Sequence, residues 1–274
     1  MKCAIRSIIR DWVPPIVRKT VNRIFTSRNV YTGDYNSWGE ASSLCVGYND
    51  ERILTKALDS TLRVQSGEAV FERDSVLFDE IQYSWPLLSG LMLGAAKNSG
   101  KVSVLDFGGS LGSSYFQCQK FLSELPEVEW AVVEQRNFVK VGKVHISSKE
   151  ISFFETIDEC GASLRPNVAL LSSTLQYIQD PVAVLQKVSL LDVNTIIIDR
   201  TPFSFDNKAA IVIQHVPPEI YPASYPMHIL LEEDLLRVLG QEWRVVERFI
   251  SPEGFDLSSE GHKFTFNSLI LARV

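Results

Sequence analysis

One stretch constrains this chain more than any other: Val102-Ser-Val-Leu-Asp-Phe-Gly-Gly-Ser-Leu-Gly112. A short apolar run ends in an acid, then a glycine pair, then a third glycine where a helix can begin. Glycine lets the backbone turn tightly and approach a ligand closely, beside the positive end of a helix. The pattern predicts a strand–turn–helix unit of an α/β fold with a ligand at the turn. Spacing then narrows the ligand. A dinucleotide fingerprint, G-x-G-x-x-G, started at Gly108 needs glycines at 110 and 113, and both are serine. Ser110 and Ser113 therefore disfavour an NAD-dependent oxidoreductase.

The rest of the chain alternates as such a unit requires. Strands are expected at 102–107, 130–134, 151–154, 168–171 and 195–199, with helices over 113–125, 137–144, 156–160 and 181–190. That order predicts a doubly wound, mostly parallel sheet of Rossmann-like type. The last two apolar runs, 243–250 and 264–274, lie too close together for a helical crossover and read as an antiparallel hairpin. Ahead of the sheet, helices are expected at 49–64 and 75–96, the second bent at Pro86, forming a helical cap. Residues 200–230 read as irregular, followed by a helix at 231–239. The expected division is a basic segment at 1–28, the cap at 29–98 and the ligand-binding domain at 99–274.

Composition excludes several classes. A net charge of −6 argues against a general nucleic-acid binder, which usually carries a basic face. Cys3, Cys45, Cys118 and Cys160 are far apart and form no C-x-x-C pair, so no metal site or disulfide framework is expected. A cytoplasmic protein with reduced thiols is the expectation. No apolar run approaches the roughly 20 residues that span a bilayer. Residues 1–28 carry seven basic residues against Asp11 alone, and Ile5, Ile8, Ile9, Trp12, Ile16 and Val17 recur near helical spacing. Two readings stand: a basic amphipathic helix on an anionic membrane surface, or a helix packed on its own domain or on a second subunit of a homo-oligomer.

In an open α/β sheet ligands sit beyond the carboxyl ends of the strands. The candidates there are Asp106, Gly108, Gly109, Ser110 and Gly112; then Glu134 and Gln135; then Glu155; then Ser172, Ser173, Gln176 and Tyr177; then Asp199 and Arg200. Asp199 can accept a proton from an attacking group, and Arg200 can hold an acidic one through its planar fork, unless the two form only a structural ion pair. Residues 214–228 are too rich in proline for a loose tether and read as a lid. His215 and His228 there are candidate bases, although a lone histidine is more often structural, and Tyr221 and Tyr225 can stack on a ring. In the cap, Glu72-Arg73-Asp74, Asp79 and Tyr83 form a polar cluster that contacts a substrate or braces helices.

Asp106-x-Gly108-Gly109-x-x-Gly112 resembles the first motif of class I S-adenosylmethionine (SAM) methyltransferases, and the antiparallel end of the chain matches their sheet. Together with residues 71–85, 133–135, 170–177 and 198–203, the chain from about residue 30 onward resembles a bacterial family of SAM-dependent methyltransferases associated with surface-polysaccharide biosynthesis. The resemblance implies SAM as cofactor. Its methionine end would lie on the 106–112 turn, its ribose hydroxyls on Glu134 and Gln135, its adenine near Glu155, and its sulfonium near Ser172, Ser173 and Gln176. It further implies O-methylation of a glycan or lipid-linked glycan of the O-antigen or capsule, for which Arg73, Asp79, Tyr83, Tyr177, Arg200, Tyr221 and Tyr225 are the candidate acceptor contacts. The basic N-terminal segment fits work at the inner face of the cytoplasmic membrane. The contrasting expectation is a catalytically silent SAM-fold subunit that scaffolds glycan assembly.

Overall fold

The computed structural model describes residues 30–45, 51–217, 223–250 and 257–274; the basic segment and Tyr221 lie outside them. Before the main sheet come β1 (Val30–Thr32), α1 (Trp38–Ser43), α2 (Glu51–Gln65), β2 (Phe71–Arg73), β3 (Val76–Phe78) and α3 (Trp85–Ala96). The alternating core follows: β4 (Lys101–Phe107), α4 (Ser113–Leu122), β5 (Glu127–Val133), α5 (Arg136–His145), β6 (Ile151–Phe154), α6 (Ile157–Ser163), β7 (Val168–Ser172), α7 (Pro181–Ser189) and β8 (Thr195–Ser204). The chain then forms β9 (Ala210–His215), β10 (Ser224–Ile229), α8 (Glu232–Leu239), β11 (Trp243–Ile250), β12 (Leu257–Ser259) and β13 (His262–Arg273).

The main sheet runs β11-β13-β8-β7-β4-β5-β6. The five strands β8, β7, β4, β5 and β6 are parallel, and β13 enters antiparallel between β8 and β11. This is the strand order of the Rossmann-like class I methyltransferase sheet. The order reverses between β4 and β7, so the crevice at their carboxyl ends is the place a ligand takes in such a sheet.

Both sheet faces are covered, which explains the near-continuous apolar strands. Along β4, Val104 faces one core with Trp130, Phe153 and Ile197, under α2, α3, α4 and α5. Its neighbour Leu105 faces the other with Leu171, Ile198 and Trp243, under α6, α7 and α8. Each fully buried Leu or Ile contributes about 1.5–3 kcal/mol by leaving water.

Two expectations about local structure give way. The helix expected at 75–96 begins only at Trp85, because Ser84 caps it and Pro86 occupies its first turn. Pro86 starts the helix instead of bending it. The preceding residues form the β2–β3 hairpin, whose turn passes through Asp74 and Ser75 at φ 52° and 63°. The cap is thus part strand, part helix. The stretch 200–230 also differs: β8 continues to Ser204, and β9 pairs antiparallel with both β10 and β1 in a second, three-stranded sheet. Proline is compatible with these strands. Pro202 stands beyond Asp199, the last residue β7 pairs, and Pro226 lies on the edge strand β10.

Candidate functional site

The tip of β4 runs into a tight glycine turn. Gly108 has φ +73°, and a Cβ there would collide with Thr174 on the loop after β7. A Cβ at Gly109 would collide with the Asp106 carboxylate. Both glycines are therefore required by packing, whatever binds beside them. Asp106 is wholly buried. Its Oδ2 accepts from Trp130 Nε1 at 3.0 Å, while Oδ1 has no hydrogen-bond partner. Burial pushes its carboxyl up to about 7, against the pull of the Trp130 N–H. Glu134, just past β5, is pushed to about 7 by the same cause, although the Gln135 and Ser110 amides hold it down in part.

Two adjoining cavities of about 280 Å³ each open at these strand ends. The turn-side cavity is lined by Asp106, Gly108, Gly109, Ser110, Ser173 and Tyr177, with Gln214 and Tyr225 across from them. The cap-side cavity is lined by Gln82, Tyr83, Ser84, Trp85, Gln117, Asp199 and Phe249. Six residues belong to both walls: Glu72, Arg73, Ser113, Ser114, Ser172 and Arg200. Five non-glycine residues in the left-handed region, Asp74, Ser75, Ser110, Ser173 and Arg200, line the turn-side cavity. Such conformations cost about 1–3 kcal/mol each and collect where a site dictates backbone position.

The expected residues divide clearly. Asp106, Gly108, Gly109, Ser110, Ser172, Ser173, Tyr177, Arg73, Arg200 and Tyr225 meet at the turn-side cavity, and Tyr83 and Asp199 at its neighbour. Tyr177 donates to Gln214 Oε1 at 2.6 Å and meets the Tyr225 ring edge-on. Gln176 is buried behind the wall, donating to Ser173 Oγ and the Arg200 carbonyl; it braces the loop. Gly112 caps α4 at φ +91° without lining either cavity. Gln135 and Asp79 are exposed and line neither, and Glu134, buried against the Gln135 amide, lines neither as well. Glu155 is a surface partner of Arg136 at 3.8 Å.

Neither His215 nor His228 lines either cavity. His215 sits at the exposed end of β9 against Thr32 Oγ1, at 2.8 Å. His228 stacks on Trp38 with ring centres 4.7 Å apart, and burial pushes its imidazole below the usual range. Tertiary pairing explains their place: Ala210–His215 and Ser224–Ile229 form a strand pair that carries these rings on the three-stranded sheet.

Asp199 is buried and fully engaged. Oδ1 accepts from Ser268 Oγ at 2.6 Å and Ser84 Oγ at 3.2 Å, Oδ2 accepts from Ser172 Oγ at 2.8 Å, and Arg200 Nε lies 3.7 Å away. Arg200 also faces Asp74 at 3.6 Å. Its fork therefore bridges two of the protein's own acids. Sequence reasoning missed Ser268 and Ser113. The signal for Ser268 was a small hydroxyl among the apolar residues of β13.

No family model and no curated protein matches the chain. Among solved structures it is similar to the N-terminal domain of EvdMO1, solved with SAH and D-fucose, at 15% identity, 84% of this chain, 100% of that one and TM-score 0.48. It is similar to the Burkholderia thailandensis 1,6-didemethyltoxoflavin-N1-methyltransferase at 11% identity, covering 91% and 97%, TM-score 0.46. A third is the Synechocystis PCC 6803 magnesium protoporphyrin IX methyltransferase with bound SAM, at 13% identity, covering 98% and 96%, TM-score 0.41.

Proposed function

We propose that this chain is a SAM-dependent O-methyltransferase acting on a sugar hydroxyl of a bacterial surface glycan, in the O-antigen or capsule. The observation that carries the donor half is the orphaned Asp106 Oδ1, buried at the switch point beside a glycine turn. A buried carboxylate oxygen without a partner costs free energy that a cationic ligand group removes. Asp106 and the 108–110 turn would hold the amino-acid end of SAM, and Glu134 its ribose hydroxyls. Bound there, SAM supplies a methyl group on a sulfonium. The protein's own contribution is then to place an acceptor oxygen in line with that methyl, to exclude water, and to receive a proton.

The cap-side cavity suits a sugar. Tyr83 and Trp85, 5.4 Å apart, offer ring faces, and Gln82, Ser84 and Gln117 offer neutral hydrogen-bonding groups. The glycan assignment rests on this lining and on the motif resemblance. Work at the inner face of the cytoplasmic membrane, through residues 1–28, belongs to the same proposal. No described helix is long and apolar enough to cross a membrane.

Calorimetry with S-adenosylhomocysteine tests the donor site: saturable binding by the wild-type chain is expected, and its absence overturns the enzyme reading in favour of a silent scaffold. Incubation with labelled SAM and extracted lipid-linked glycan, followed by mass spectrometry, tests the acceptor. The expected product gains one methyl on a sugar. Binding without such a product overturns the glycan assignment alone.

A further inference from the structure

Methyl transfer between two cavities must occur at the wall they share. Six residues form that wall, and Glu72 alone among them carries a carboxylate that can accept a proton. It is 4% exposed, on β2, and held by a short contact from the Ser113 hydroxyl to Oε1 and by the Ser75 amide to Oε2 at 3.2 Å. A carboxylate has about four lone-pair sites, so roughly two stay open on Glu72. Asp199 contrasts with it: three hydroxyls and the Arg200 guanidinium already occupy its sites.

Resting on the methyl-transfer reading above, we propose that the Glu72 carboxylate receives the proton of the acceptor hydroxyl. The acceptor oxygen forms a bond to the methyl carbon of a sulfonium donor as the carbon–sulfur bond breaks. That bond's electron pair goes to sulfur, which becomes a neutral thioether. The O–H electron pair stays on the acceptor oxygen, and the proton moves to Glu72. The charged groups in the surrounding walls are Arg73 and Asp74 on the hairpin, Asp106 on β4, and Asp199 and Arg200 on β8. Burial raises the Glu72 carboxyl, with Asp74 adding to it, while the Ser113 hydroxyl, the Ser75 amide and Arg200 pull the other way.

The test is Glu72→Gln, with Glu72→Asp as the conservative control. S-adenosylhomocysteine affinity by calorimetry should stay within about twofold in both, while labelled-methyl transfer to the lipid-linked glycan extract falls about a hundredfold or more in Glu72→Gln and recovers in part in Glu72→Asp. The wild-type rate should rise with pH through a carboxyl titration that Glu72→Gln lacks. Undiminished transfer by Glu72→Gln overturns the proposal, as does a tenfold loss of donor affinity, which makes Glu72 a brace for Ser113. Failure of the wild-type chain to bind S-adenosylhomocysteine is the separate failure of the methyltransferase reading.

Discussion

Asp106, near the end of β4, and Asp199, the last residue of β8 that β7 pairs, lie on either side of β7, both out of water, yet their surroundings are opposite. Where β7 ends beside β8, Ser84, Ser172 and Ser268 converge on Asp199 and tie the cap to the sheet. At the tip of β4, Asp106 has one indole N–H and an empty oxygen. A carboxylate that the protein satisfies is part of the frame. One left short carries a desolvation cost that the protein alone does not offset.

That contrast can be broken by substitution. Asp199→Ala strands three hydroxyls and should lower stability by about 3 kcal/mol in urea denaturation, with S-adenosylhomocysteine affinity little changed. The opposite pattern is expected of Asp106→Asn. An amide oxygen still serves Trp130, so stability should move by less than about 1 kcal/mol while S-adenosylhomocysteine affinity falls about tenfold or more. Equal stability losses in the two variants would erase the distinction.

pH sharpens the same comparison. Asp106 and Glu134 have folded-state values raised to about 7, above those of an unfolded chain. Their favourable contribution is full below the unfolded carboxylate range and is lost as pH rises through about 7. The ligand-free melting temperature should therefore drop by roughly 5 °C between pH 5 and pH 8 on their account. An Asp106→Asn, Glu134→Gln double variant should flatten that slope; an unchanged slope would place its origin elsewhere. The smallest effect is expected of His215→Ala, with S-adenosylhomocysteine affinity and methyl transfer within about twofold and stability within about 0.5 kcal/mol.

The parallel half of the molecule was legible because its strands are apolar on both faces and are punctuated by Gly108-Gly109, Asp180-Pro181 and similar breaks. The antiparallel end was legible from loop length alone. Residues 71–85 were not, since Phe78, Ile81, Trp85 and Leu88 keep helical spacing while Asp74-Ser75 turns without any glycine to mark it. Pro202 and Pro226 hid β8's extension and β10, because a sequence does not say which side of a strand is free of partners. Asp106, Ser172, Asp199 and Arg200 line the cavities because their place depends on the sheet. Gln135, Glu155 and the histidines depended on side-chain direction, which only packing decides.

The wall between the cavities is contributed in part by residues 71–75, outside the alternating core. A graft of that short ribbon from one such chain to another would re-aim the reaction while the grip on the nucleoside stayed as inherited. Acceptor choice could then diversify through exchange of a peripheral piece, leaving the central sheet under no pressure to change.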